Sequence, residues 1–450
     1  MPRFSQPVHA PCRHFEGARV VATAGLLLSA LVFSSSTAAS YDYPVQDALL
    51  ATVIGTRAAD EGPVPKKVPT KVRSIVRFPE REIPDVFWNQ DEFRYTVSAQ
   101  KKGAPLIFIV AGTGASHRSS KMLYLRRLFF SEGFHVIALS SPTHPNFILT
   151  ASSSGHPGYT PEDSLDLYAV MREAYSELAS KVSIHEVHLT GYSLGGTQAA
   201  FLTAIDDREG AFHFKKILMI NPSVDLFASL RILDGLFSDA LPDGAESVVD
   251  LVERLLAGVS AYSQEHGLRS LDDELLYKIA EERIAEGRPP KKRFLAGLIA
   301  ASFRLSASDM FFTVDVLANG GHIVPKDTKL GVGASLEPYF RRSMSWSFER
   351  YFDDVLLPYW QGKGGDLDLG REALIERASL RSLAVLLRED SRMGAVTNAD
   401  DIILSAEDLE FLRTNMGDRL KVYPVGGHCG NLSYRENSEY MIRYFKEDTP

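Results

Sequence analysis

What most constrains this chain is a recurring alternation of strand-like and helical patterns. PLIFIVA (105–111) and FHVIALS (134–140) are continuous apolar runs rich in β-branched residues. HEVHLTG (185–191) and KKILMIN (215–221) are also strand-like. Apolar runs without polar alternation fit strands buried on both faces, as in a parallel sheet. Between them, residues 118–132, 160–180 and 194–206 carry helical spacing. Strand and helix in turn build a parallel sheet covered by helices on both faces. The expected fold class is therefore α/β, with a mostly parallel sheet flanked by helices.

The alternation stops at Pro222 and resumes after Asp390. The stretch between is mostly helical in pattern, as in SVVDLVERLLAGVSAYS (247–263), DDELLYKIAEERIAE (272–286), FLAGLIAASFRL (294–305) and SWSFERYFDDVLLPYW (345–360), with glycine breaks at Gly320-Gly321 and Gly362–Gly365. GAVTNAD (394–400) and LKVYPVG (420–426) are again strand-like, and a last helix is expected over 437–446. The simplest organisation is one α/β core in two parts, 73–221 and 391–450, interrupted by a helical insertion, 222–390. Weaker β-type runs stand at 74–78 and 93–98. Residues 41–72, with Pro44, Pro63, Pro65 and Pro69, read as a lead-in arm. Two helix starts are marked: Thr160 as N-cap with Pro161 at N1 and Asp163 completing a capping-box pattern, and Ser405-x-x-Asp408 as a capping box.

Composition narrows the function classes. The chain has 450 residues, 45% hydrophobic and 24% charged, enough apolar content for a large core. A net charge of -8 argues against nucleic acid as a partner. The two cysteines, Cys12 and Cys429, exclude a disulfide scaffold and a multi-cysteine zinc domain. Arg3, Arg13 and Arg19, then the uncharged VVATAGLLLSALVF (20–33), then SSSTAAS (34–40), form a basic, apolar and small-residue series. That series is a secretory signal peptide with cleavage expected after Ala39 or Ser40. An uncleaved N-terminal membrane anchor is the alternative, although the apolar run is short against the ~20 residues of a span. No later segment reads as a membrane span. The protein is expected to be exported, periplasmic or secreted.

Gly191-Tyr192-Ser193-Leu194-Gly195-Gly196 carries the chemistry. It matches G-x-S-x-G and lies between a strand and a helix. A sharp turn there lifts the serine hydroxyl above the sheet, and flanking glycines remove side chains that would collide across it. The helix N-terminus aims free N–H groups at the same place. With this motif in this setting the chain resembles the α/β-hydrolases over residues ~73–221 and ~391–450. The resemblance implies the chain order nucleophile, acid, histidine. His428, in Gly426-Gly427-His428-Cys429-Gly430-Asn431 after the last strand, matches the family's catalytic histidine. In Asn398-Ala399-Asp400-Asp401-Ile402-Ile403-Leu404, Asp401 takes the place of the acid, with Asp400 the alternate by one residue. The oxyanion donors by family position are the N–H groups of Leu194 and Thr113, with Gly114 the alternate; Ala111-Gly112-Thr113-Gly114 stands where many relatives have His-Gly.

No metal or cofactor is expected, since there is no H-E-x-x-H, cysteine cluster or phosphate loop. Asp272-Asp273 and Asp353-Asp354 read as solvated helix faces, and Cys429 as a small packed residue. In this fold such an insertion caps the site, so 222–390 carries the question of substrate. Its aromatic stretch Tyr339–Trp360, and the apolar 295–312, either pack the insertion's own core or line an apolar pocket or a lipid-facing surface. The expected substrate is a small-molecule or lipid ester with an apolar acyl group, with peripheral membrane contact through the cap as a further expectation. Acyl transfer or peptide cleavage on the same residues is a nearby alternative. A catalytically silent protein that binds lipid or an envelope partner is the alternative from another class. Oligomeric state is left open. The leader is tested by N-terminal sequencing of protein from its native host: the chain should begin near Ser40 or Tyr41, and an intact Met1 on soluble protein would defeat the expectation.

Overall fold

The computed structural model describes residues 41–240, 291–362 and 370–447. The expected leader, the helical patterns at 247–263 and 272–286, Asp272-Asp273 and most of the break at 362–365 lie outside the described residues. Eight strands form one sheet in the order β1-β2-β4-β3-β5-β6-β7-β8. They are β1 Lys71–Ile75, β2 Phe93–Ser98, β3 Ala104–Val110, β4 His135–Leu139, β5 Ile184–Tyr192, β6 Ile217–Ile220, β7 Met393–Asn398 and β8 Leu420–Tyr423. β1 and β2, and β2 and β4, pair antiparallel; every later pairing, from β4–β3 to β7–β8, is parallel.

The apolar runs behave as their composition requires. All residues of β4, β6 and β7 are buried. In β3, Leu106, Phe108 and Val110 enter the core on one face, whereas Ile107 and Ile109 enter the core on the other. This period of two on a doubly covered strand is why the run shows no polar alternation. Thr160–Ala179, Leu194–Glu209 and Ala406–Met416 supply Leu167, Ala199 and Leu412 to the first face. Ser120–Ser131 and Arg435–Lys446 supply Leu125, Phe129, Met441 and Phe445 to the second.

Several boundaries differ from expectation for local reasons. β1 begins at Lys71 rather than 74, because its register is set by pairing Lys71–Ile75 with Val97–Phe93. As an edge strand with only Ile75 buried, it has little hydropathy pattern to reveal it. The helix at Thr160 is capped one residue earlier: Tyr159 is the N-cap, and Asp163 accepts from the Gly158 N–H (2.8 Å) instead of closing a capping box. The Ser405–Asp408 capping box forms with both of its bonds. Residues 41–72 are more than an arm. They contain a helix, Ala48–Ile54, whose first turn is capped by Asp47 accepting from the Leu50 N–H (2.9 Å).

Within 222–390, the regular elements among the described residues are all helical, with no strand. Leu226–Ala240 packs against the long helix Lys292–Ala318. By length and composition the latter could cross a membrane, contrary to the sequence expectation that no later segment could. Its apolar character is used inside the fold, where Leu295, Ile299, Met310, Phe311 and Val314 are buried. A largely buried ion pair, Arg304–Asp234 (2.6 Å), joins the two helices. Arg304 also donates to the Trp346 carbonyl, and Asp234 accepts from the Phe348 N–H, so the aromatic stretch is tied to the same pair. Trp346, Phe348, Tyr351, Phe352 and Trp360 are buried together with Phe227 and Phe311. Asp353 and Asp354 face solvent and pair with Arg371 and Arg350.

Candidate active site

Ser193 follows β5 directly and precedes the helix Leu194–Glu209, with φ 55 and ψ -126. A non-glycine residue in that region is strained by about 1–3 kcal/mol and persists only where its surroundings over-determine it. Here the Ser193 N–H donates to the Ile220 carbonyl at the end of β6 (2.9 Å), and its own carbonyl accepts from Gly196 (2.9 Å) and Thr197 (3.2 Å). The turn also lies hard against β3: a Cβ on Gly195 would stand 2.2 Å from the Val110 carbonyl oxygen. Three strand ends therefore hold one serine above the C-terminal edge of the sheet. With this strand order and this turn after β5, the architecture is settled. The chain has the α/β-hydrolase fold.

Ser193 Oγ is 2.9 Å from His428 Nε2, and His428 Nδ1 is 2.9 Å and 3.2 Å from the two oxygens of Asp401. A carboxylate accepts only, so in the neutral ring Nδ1 carries the proton and Nε2 offers its lone pair to the serine hydroxyl. Burial alone would push the imidazole down from its ordinary 6.5. The Asp401 carboxylate, with smaller help from Cys429, outweighs it and holds His428 well above that value. The Asp401 side chain is fully buried. Its charge is met by the Asn221 amide (2.8 Å), the Ile403 N–H (3.2 Å) and the Thr397 hydroxyl (3.4 Å) besides the imidazole. Asn221, at the end of β6 with φ 44, was not singled out in the sequence. Its one signal there is a polar residue closing an apolar strand at the level of the serine's turn.

The two aspartates do different work. Asp400 accepts from the Gly427 N–H (2.9 Å), and burial raises its carboxyl. It braces the histidine loop, whereas Asp401 faces the imidazole ring. Asn398 donates to the Gly427 carbonyl (2.7 Å) and exchanges hydrogen bonds with Asn431, closing the same loop from β7. Cys429 is buried among apolar neighbours. Of the oxyanion candidates, the Gly114 N–H is already given to Thr143 Oγ1 (2.8 Å), which removes the alternate. Thr113 and Leu194 both line the cavity beside Ser193. Among the described residues no group of three His, Cys, Asp or Glu side chains could hold a metal ion.

The cavity over Ser193 and His428 has a volume of about 550 Å³. Much of its apolar wall comes from the insertion, with Leu226, Leu230, Leu233, Leu298, Ile299 and Phe303. The stretch 295–312 thus reaches the pocket, but Trp346 and Trp360 do not line it; they pack the insertion's core.

No protein-family model matches the chain, and no curated protein matches it in sequence. Among solved structures it is similar to a thermostable esterase from Pseudomonas putida ECU1011, at 14% identity and TM-score 0.39, covering 88% of this chain and 86% of that one. A proline iminopeptidase from Mycobacterium smegmatis is similar at 15% identity and TM-score 0.37, covering 83% and 97%. The thioesterase domain from the curacin biosynthetic pathway is similar at 13% identity and TM-score 0.36, covering 83% and 98%.

The aspartates are separated by substitution. Asp401→Asn should lower kcat by about 10⁴-fold by favouring the wrong imidazole tautomer, and Asp400→Asn should cost far less. The active form needs neutral His428, so activity should rise with pH through a midpoint above 6.5, where the carboxylate has raised the imidazole. In Asp401→Asn, burial is opposed only by the smaller effect of Cys429, and residual activity should rise at lower pH. Steady-state pH profiles of both variants check ranking and direction together.

Proposed function

We propose that the protein is a serine hydrolase that cleaves a carboxylic ester bearing an apolar acyl group. The observation that carries this reading is the Ser193–His428–Asp401 line of hydrogen bonds opening into an apolar cavity. Ser193 Oγ attacks the ester carbonyl as His428 Nε2 takes its proton. Asp401 stabilises the imidazolium so formed. The N–H groups of Leu194 and Thr113 meet the oxyanion, a contribution of roughly 3–4 kcal/mol for a well-placed donor. The intermediate collapses, His428 returns the proton to the departing alcohol, and an acyl-Ser193 remains. Water, deprotonated by His428, then releases the acid and restores the serine. An ester fits because one imidazole supplies the single proton its alcohol needs, and because the wall offers apolar surface to the acyl chain.

The leader-like residues 1–40 support an exported enzyme, periplasmic or secreted. The apolar insertion is also where we place contact with a lipid surface, if the natural ester is presented in one.

Ser193→Ala should abolish both fluorophosphonate labelling and p-nitrophenyl ester turnover while far-ultraviolet circular dichroism is unchanged. Undiminished turnover in that variant would remove the mechanism, and a wild type inert to both reagents would favour a silent binding protein. Acyl preference should follow the cavity wall. Each buried methylene is worth about 0.8 kcal/mol, roughly fourfold in kcat/KM, until the cavity is full. Leu230→Trp or Leu298→Trp should shorten the preferred chain. Trp346→Ala should leave the preference in place and cost ~3–5 kcal/mol of stability instead. A chain-length series with parallel melting curves separates these outcomes.

A further inference from the structure

The helix Ala48–Ile54 lies far from the site in sequence and against it in space. Thr52 Oγ1 accepts a hydrogen bond from the backbone N–H of His428 (2.9 Å). The same hydroxyl donates to the Ala48 carbonyl one turn earlier (2.7 Å), which aims its lone pairs at the histidine loop. The approach is close: a Cβ on Gly427 would lie 2.3 Å from the Ala48 carbonyl oxygen and 2.5 Å from Thr52 Oγ1, at φ +56. Neighbouring bonds hold the helix in place. Tyr43 donates to the Gly55 carbonyl (2.8 Å), Thr56 donates to the Gly430 carbonyl (2.9 Å), and Tyr41 accepts from the Asn431 amide (2.8 Å). The helix also packs against Lys292–Ala318, and Thr52, Val53 and Gly55 form part of the cavity wall.

His428 is thus gripped from two sides. Asp401 fixes its ring, and Thr52 fixes its backbone. Asp400 and Asn398 bond the neighbouring Gly427, whereas Thr52 bonds the His428 backbone itself; Gly426, Gly427 and Cys429 all have positive φ, so the loop's own backbone preferences do little to hold the imidazole 2.9 Å from Ser193. We infer that Thr52 is a positioning residue for the reaction, acting through the His428 backbone, and that the segment Tyr41–Thr56 is a working part of the active site. This inference rests on the serine-hydrolase reading above.

The test compares full-chain Thr52→Val, which keeps the shape and loses the hydroxyl, with Thr52→Ser, which keeps the hydroxyl. A misplacement near 1 Å costs about a hundredfold in rate. Thr52→Val should therefore lose about that much in kcat on a short p-nitrophenyl ester, and in fluorophosphonate labelling rate, with KM little changed. Thr52→Ser should recover most of both. A folded Thr52→Val that labels and turns over like wild type would overturn the inference and leave the hydrolase reading standing. So would Thr52→Ser falling as far as Thr52→Val. A wild type that does not label at all would instead sink the underlying reading. Should Thr52→Val not fold, amide exchange in the wild type decides: slow exchange of the His428 N–H supports the bond, and exchange at the rate of an open peptide overturns it.

Discussion

The whole arrangement depends on one strained residue. Ser193 occupies a left-handed conformation that its side chain disfavours, and three strands keep it there. β6 takes its N–H, β3 presses on Gly195, and β5 delivers it. The strain is local, and its compensation is spread over the parallel pairings of β3, β5 and β6. Those pairings require strands buried on both faces. That is why the apolar runs, the glycines and the serine belong to one structural demand rather than three.

The same strand ends supply the rest of the site. Asn221 closes β6 and holds Asp401, Asn398 closes β7 and holds the histidine loop, and Thr397 of β7 adds a bond to the acid. A buried carboxylate unpaired in this setting would be costly. With an imidazole, an amide, a hydroxyl and a backbone N–H around it, Asp401 stays satisfied and can raise the basicity of His428. The adjacent Asp400 bonds the backbone of the same loop instead. One residue of register divides an electrostatic role from a scaffolding one.

The insertion divides its labour too. Its aromatic residues build a core around the largely buried Arg304–Asp234 pair, and its leucines line the cavity. Large aromatic side chains contribute most where they are fully enclosed. Leucine and isoleucine offer apolar surface without a polar atom to satisfy, which suits a wall that meets a hydrocarbon chain.

Much of the core was legible because it follows from short-range demands. Burial on both faces writes itself as an apolar run, the serine's turn requires glycine at fixed offsets, and the Ser405 capping box lies within four residues. Ser193 could be placed from such signals, and His428 and the Asp400-Asp401 pair from the resemblance to the α/β-hydrolases and the chain order it implies. Other features depend on contacts between distant segments and left no local pattern. These include the bracing role of Asp400, the commitment of the Gly114 N–H to Thr143, the role of Asn221 and the place of the aromatic stretch. The helix Ala48–Ile54 is the clearest case, since seven residues of ordinary composition show little periodicity. The sequence by itself determined the strands of the parallel sheet and the turn that exposes Ser193, because burial on both faces and glycines at fixed offsets are written along the chain. Only the tertiary structure decided which carboxylate meets the imidazole, which residues wall the cavity and that Thr52 grips the histidine loop, because contacts between separate segments, 27 residues apart for Asp401 and His428 and 376 for Thr52 and His428, depend on packing geometry and not on spacing.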